Sequence, residues 1–382
     1  ADLWRQGLPL FDFGEVVWQY YVPYCLLAVL LLLMAATSGE RLTESLLRRR
    51  KLWLALQAAV IAVAVAGCCR FWYADKNFTT ELAMQQKAEE RDWEGVLRLM
   101  GENTTPPTRQ MWMLKNMAAF YSGRGGDILY NYSNGDTMPN APMTVKMVTT
   151  CGKMLYLNFG LPNYCYRWCM EDGVEYGWRA TTLKYLARAA LVNGETTLAR
   201  KFIDLLKKTT FHRAWAEHYE QFVAHSERIA ADKELSVQRL LVADDNRLAS
   251  DQTFIETFLL MSLSVEDTDN PVKADLICQC ALQLKDIPIF WKAFSQWAHT
   301  HQGQPIPRHY QEAAFMFGNL EHNVDISRIP FSPEVKESYA ELMQAAARLA
   351  GMTTEQLADR LRPRFGHTYY YDYYLMRGLK TN

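Results

Sequence analysis

Residues 178–208 read WRATTLKYLARAALVNGETTLARKFIDLLKK, two apolar-periodic runs around a single turn signal. In the first run, 178–193, Leu183, Leu186, Ala187 and Ala190 recur at the three- and four-residue spacing that puts them on one helical face. In the second, 196–208, Leu198, Ala199, Phe202, Ile203, Leu205 and Leu206 fall on one side. Between them Asn193-Gly194 supplies the left-handed stop that ends a helix. Small residues let two antiparallel helices approach and large ones fill the next groove, so the stretch predicts a tightly packed helix pair.

Taken in order, Leu183, Leu186, Ala187, Gly194, Ala199, Ile203 and Leu206 resemble the tetratricopeptide pattern. A weaker copy lies at 83–100, with Asp92-Trp93 on the turn side, Val96 and Met100 at packing positions, and Pro106-Pro107 closing the unit. Further helical patterns cover 108–121, 143–159, 211–231, 251–263, 271–284, 290–299, 308–322, 332–350 and 353–361. Some carry start signals: Ser332-Pro333-Glu334 places a capping hydroxyl, a helix-starting Pro and an acid at a positive helix end, and Thr353 with Gln356 has capping-box spacing. Strand signals are scarce. Residues 75–365 therefore read as an all-α domain, a tetratricopeptide-like α-solenoid of helix pairs, with an irregular all-α domain as the alternative.

Two pieces break that pattern. Residues 123–142 hold Gly125-Gly126, Ile128-Leu129-Tyr130-Asn131-Tyr132 and Asn134-Gly135, a long loop whose aromatics pack across neighbouring helices. The tail, 366–382, carries Tyr369, Tyr370, Tyr371, Tyr373 and Tyr374, too aromatic to stand free in water, and is expected to dock on the last helices or on a partner.

Ahead of residue 75 the composition changes. Residues 1–74 contain two uncharged apolar runs, 22–36 and 52–69, flanked by Trp18, Tyr20, Tyr21 and Tyr24 on one side and Phe71, Trp72 and Tyr73 on the other. Between them lie Arg41, Arg48, Arg49, Arg50 and Lys51. The expectation is a transmembrane helical hairpin, with spans at about 18–36 and 52–72 in contact with membrane lipid. Its basic turn faces the cytoplasm. Ala1 stands where an initiator Met is expected, so the chain reads as processed or cut from something longer. A signal-peptide reading of 20–36 competes weakly, since Asp2, Asp12 and Glu15 precede the run where a basic segment is needed.

With 382 residues, 49% of them hydrophobic, the chain can bury a sizeable core. Residues 1–73 hold seven Lys/Arg and five Asp/Glu, and the rest 34 and 37, so the larger part is slightly acidic. A near-neutral surface lacks the clustered base that phosphate backbones require, which excludes nucleic acid as a partner.

Catalytic and metal signatures are missing from the sequence. Cys165 and Cys169, Cys278 and Cys280, and Cys68 and Cys69 do not give converging zinc pairs, so the cysteines read as small buried hydrophobes. A periplasmic location would allow a disulfide from Cys151 to Cys165 or Cys169. His299, His301 and His309 read as a surface helix end, and His212, His218 and His225 as packing or solvated residues. No cofactor motif or nucleophile–base pair is recognisable, so no catalytic residue is assigned and an enzyme is the less favoured reading. One constellation suits binding: Tyr164, Tyr166, Trp168, Tyr176 and Trp178 cluster around Arg167 and Arg179. As a bland reading they plug the inner side of a solenoid. As a functional one Tyr164, Arg167, Trp168, Tyr176, Trp178 and Arg179 line a groove for a peptide or glycan, the arginines taking an acidic group.

Several motifs also resemble a family of uncharacterised multi-spanning inner-membrane proteins of Bacteroidota. They are Ile128-Leu129-Tyr130-Asn131-Tyr132, the run from Tyr176-Gly177-Trp178 to Ala199-Arg200-Lys201, Phe211-His212-Arg213, and Phe365-Gly366-His367-Thr368-Tyr369-Tyr370. The resemblance implies a tetratricopeptide-like C-terminal domain on the periplasmic side of the bacterial inner membrane, and further spans before Ala1. The expected function is a membrane-anchored helical-repeat scaffold that binds another cell-envelope protein or peptide. The alternative is an accessory or catalytic subunit of an envelope-polymer enzyme whose active site lies in spans outside this chain.

Overall fold

The computed structural model describes residues 21–37, 50–70, 76–132, 151–244, 246, 255–321 and 324–376. Among them the chain is all-helical, without a strand. It divides into two compact units, Ala1–Lys76 and Asn77–Asn382.

The first unit contains α1 (Val22–Thr37) and α2 (Arg50–Arg70). They approach closely where a Cβ built on Gly67 would meet Leu26 Cδ1 at 3.8 Å. The expected transmembrane hairpin is not borne out: among the described residues no helix is long and apolar enough to cross a membrane. The reason is length. With 16 residues α1 rises about 24 Å, short of a hydrocarbon layer about 30 Å thick. The 21 residues of α2 begin with Arg50-Lys51 and end with Arg70, and the uncharged interior, 52–69, rises about 27 Å with Gln57 inside it. Described side chains of both helices are largely exposed, Leu32 by 70% and Val63 by 67%. Trp18, Tyr20, Phe71, Trp72, Tyr73, Arg41, Arg48 and Arg49 lie outside the described residues.

The second unit opens with α3 (Lys76–Glu89), α4 (Trp93–Glu102), α5 (Arg109–Tyr121) and the short α6 (Gly125–Ile128). Its middle holds α7 (Lys153–Asn158), α8 (Pro162–Tyr176), α9 (Ala180–Val192), α10 (Thr196–Lys207), α11 (Arg213–Ala224) and α12 (Leu235–Leu240). Then follow α13 (Ile255–Ser264), α14 (Pro271–Leu284), α15 (Ile287–Thr300), α16 (Arg308–Glu321), α17 (Pro333–Arg348), α18 (Thr354–Phe365) and α19 (Tyr369–Leu375).

The α9–α10 pair forms where its sequence predicts. Gly194 takes φ +80°, its N–H bonds to Leu191 O at 3.1 Å, and the Glu195 N–H bonds to Ala190 O at 2.8 Å. This double closure satisfies the last carbonyls of α9 and turns the chain back. Leu186, Ala187 and Ala190 of α9 are fully buried, as are Ala199, Ile203 and Leu206 of α10. Leu205, expected inside, is 48% exposed, because one residue of rotation carries it past the contact. At the weaker copy the turn is made by Arg91, at φ +60°, and Asp92 caps α4 by accepting from the Gly95 N–H at 2.9 Å.

Helices α7 to α11 each pack on the next, as do α13 to α15 and α16 to α19. Later helices also close back on early ones: α14 packs on α5 and α6, and α16 on α6. That departs from a simple solenoid, in which each unit touches only its neighbours. Polar latches cross the closure. Asn116 donates to Gln283 Oε1, and the Tyr130 N–H donates to His309 Nε2 at 3.3 Å. The run 211–231 is broken as well: α11 ends at Ala224, His225 leaves helical geometry (φ −134°, ψ 75°), and Ser226–Ala231 forms a 3-10 turn. The tail docks as α19. Tyr369 donates to Leu282 O at 3.1 Å, Tyr371 to Ala358 O at 2.9 Å, and Lys285 pairs with Asp372 at 2.9 Å.

Candidate functional site

The turn between α8 and α9 organises the site. Pro162 starts α8 at a position where its missing N–H costs nothing, and Gly177 ends it at φ +85°. The chain then doubles back so that the Trp178 indole packs against Gly173, where any Cβ would collide with the ring. Arg179 is extended, at φ −103° and ψ 151°, and α9 begins at Ala180. Its guanidinium stands 6.0 Å over the Tyr176 ring, a cation–π contact on the exposed side of the turn.

Beneath this turn is a cavity of about 200 Å³. Its walls come from α3 (Gln85, Glu89), α7 (Lys153, Met154), α8 (Asp172) and α9 (Thr181, Thr182, Tyr185), with Arg179 also lining it. Lys153 pairs with Asp172 at 3.0 Å, and the Thr182 hydroxyl donates to the same carboxylate oxygen at 3.0 Å. Tyr185 donates to Glu89.

Behind Tyr185 lies a second polar cluster. Arg188 pairs with Glu234 at 2.8 Å and approaches Glu89 at 3.8 Å, Tyr219 donates to Glu234 at 2.9 Å, and Arg91 reaches Glu234 at 3.8 Å. Burial pushes the Glu234 carboxyl up, but Arg188 and Arg91 with the Tyr219 and Arg188 hydrogen bonds more than reverse it, leaving it below its ordinary value. Burial, reinforced by Glu89 and only partly opposed by Arg188, keeps the Tyr185 phenol well above its ordinary range, so it is a donor and never an anion at neutral pH.

Of the six residues singled out by sequence, the structure brings Tyr176, Trp178 and Arg179 together at this turn. Tyr164 is 3% exposed and belongs to the core, its ring 5.2 Å from Tyr156 and 5.0 Å from Phe258. Trp168 packs half-buried against the core, its Nε1 without an acceptor among the described residues. Arg167 pairs with Glu171 at 2.9 Å and covers the Trp168 ring at 5.3 Å. The cavity residues Gln85, Glu89, Lys153, Asp172, Thr182 and Tyr185 carry no sequence signal, since they meet only when α3, α7, α8 and α9 pack.

Other candidates have structural roles. All eight cysteines are free; Cys151, Cys165 and Cys169 are buried thiols and form no disulfide. Burial, then contact with Cys165, pushes the Cys169 thiol well above its ordinary value, which removes it as a nucleophile. His309 is not on the surface as expected but fully buried. Its Nδ1 bonds to Glu312 at 2.9 Å and its Nε2 accepts from the Tyr130 N–H, so both ring nitrogens are engaged inside the protein. His301 stacks on Trp297 at 4.6 Å. Among the described residues no group of three or more His, Cys, Asp and Glu converges as a metal site needs.

The fold and site thus define a protein that is all-helical among the described residues, with a small charged cavity beside an exposed aromatic turn. The chain belongs to the family of unknown function DUF6057, which it matches over residues 4–377. No curated protein and no solved structure matches it.

Proposed function

We propose that the protein is a helical scaffold that binds another protein or peptide through the α8–α9 turn. One observation carries this: on a turn made by Gly177 at φ +85°, with Trp178 packed against Gly173, Trp178 is 52% exposed and Val174 79% exposed, next to Tyr176 and Arg179. Aromatic and arginine side chains on a preorganised element are the usual anchors of protein interfaces. The exposed apolar faces of α1 and α2 likewise call for cover by another surface. The membrane anchor expected from sequence is no part of this reading. Its remaining elements, tetratricopeptide-like pairing, an origin among Bacteroidota and a partner in the cell envelope, rest on the resemblance of residues 128–132, 176–201, 211–213 and 365–370.

The test is purification of the full chain in its native host with quantitative mass spectrometry of what accompanies it. The reading expects a partner in fixed ratio with the wild-type chain and at least about tenfold less with Trp178→Ala, its helix content by circular dichroism matching wild type. A chain recovered alone, or a partner held equally by both, contradicts it.

A further inference from the structure

The cavity under the turn differs from an ordinary surface ion-pair cluster in having both signs of charge present with donor and acceptor capacity left over. Its lining carries two cations, Lys153 and Arg179, and two anions, Glu89 and Asp172, so it is formally neutral. Lys153 has three N–H donors and uses one, on Asp172. Arg179 makes no ion pair or hydrogen bond among the described residues, and its recorded contact is the Tyr176 ring. On the other side Asp172 accepts from both Lys153 and Thr182 through Oδ2, which leaves Oδ1 facing no protein donor among the described residues. Glu89 is oriented by the Tyr185 hydroxyl, with Arg188 3.8 Å from its second oxygen.

A simple anion entering this space would face Glu89 and Asp172, and a simple cation would face Lys153 and Arg179. Only a molecule bearing both charges close together is matched on both sides. A cavity of about 200 Å³ has room for about six waters' share of liquid, enough for a molecule of roughly ten non-hydrogen atoms. Met154 is the main apolar wall, so the lining favours a polar or short ligand over a large hydrophobic one.

We propose that this cavity binds a free α-amino acid. The ligand carboxylate sits on Arg179 and the unused Lys153 donors, and its ammonium on Asp172 Oδ1 and Glu89. Because the cavity shares only Arg179 with the exposed aromatic turn, the site stands or falls separately from partner capture.

The test is calorimetric titration of the full chain with the twenty standard α-amino acids, each compared with its α-amide and its N-acetyl derivative. At least one free amino acid binds, and removing either charge weakens it at least about tenfold. Arg179→Ala, an exposed change that leaves the fold intact, weakens it by a similar factor, and so does Asp172→Asn. The proposal is overturned if no amino acid binds at millimolar concentration. It is equally overturned if an N-acetyl derivative binds as well as its parent, which marks a plain anion site, or if Arg179→Ala leaves the affinity unchanged.

Discussion

Two charged clusters lie against the same helix, α9, and differ in whether their unused hydrogen-bonding groups face a cavity or are sealed in the core. Around Arg188, near the middle of α9, Glu234, Tyr219 and Arg91 converge behind Tyr185 in a buried network. Around Arg179, at the start of α9, the cavity keeps donors and acceptors that no described protein group engages. A buried pair whose partners are fixed holds the fold, and removing one member strands the other. The cavity's Lys153–Asp172 pair is about as buried, at 12% and 13% side-chain exposure against 10% and 12% for Arg188–Glu234, so it supports the fold too; what sets the cavity apart is Arg179, which is exposed and engages no charge among the described residues. The contrast teaches that neither charge nor unused hydrogen-bonding capacity alone marks a candidate site: Arg188 Nε and Arg91 Nη2 also lack a partner among the described residues but are buried, whereas the spare groups of Lys153, Asp172 and Arg179 line a cavity.

The largest effect that would sharpen this contrast is expected at the buried cluster. Arg188→Ala leaves Glu234 buried without its main counter-charge and lowers stability by about 3–5 kcal/mol in denaturant unfolding. A loss below about 1 kcal/mol would show that Glu234 does not depend on Arg188 for its burial.

A second test uses Lys115, which is fully buried and donates to Leu129 O at 2.9 Å. Burial, partly opposed by Asp372, lowers its pKa to about 7. Above pH 7 the unfolded chain therefore binds a proton here that the folded chain does not, and stability rises with pH. Between pH 7 and 8.5 the slope is up to about 1.4 kcal/mol per pH unit. Lys115→Met is expected to remove it, measured as the difference between the two unfolding curves.

Acid gives a smaller effect of the opposite origin. Glu234 is held below its ordinary value of 4.5, so its contribution is complete above about pH 5 and is lost as pH falls through the lowered folded value. Glu234→Gln should flatten stability between pH 5 and 3 relative to wild type. An unchanged acid limb would show that the arginines around Glu234 do not stabilise its charge.

Much of the architecture was legible in the sequence because it is local. Asn193-Gly194 ends α9 through a closure written in two adjacent residues, and the Thr353–Gln356 capping box forms as its spacing predicts. The aromatic tail buries Tyr369 and Tyr370 completely, as its cost in water requires. Other readings failed where hydropathy stood in for length: 22–36 and 52–69 are apolar, yet α1 ends at Thr37 after 16 residues and α2 is bounded by charges. Helix rotation misplaced Tyr164. It shares the inward face of α8 with Cys165 and Cys169, while Arg167 and Glu171 pair on the other side. The cavity could not be read at all, because Glu89, Lys153 and Asp172 are brought together only by three-dimensional packing.

The central claim, that Arg179 serves a ligand and not the fold, is tested most directly by thermal unfolding of Arg179→Ala with and without the amino acid found to bind the wild type. The account predicts a ligand-free Tm within about 1 °C of wild type and loss of the ligand-induced rise. A ligand-free Tm lowered by several degrees, with the ligand-induced rise intact, would contradict it.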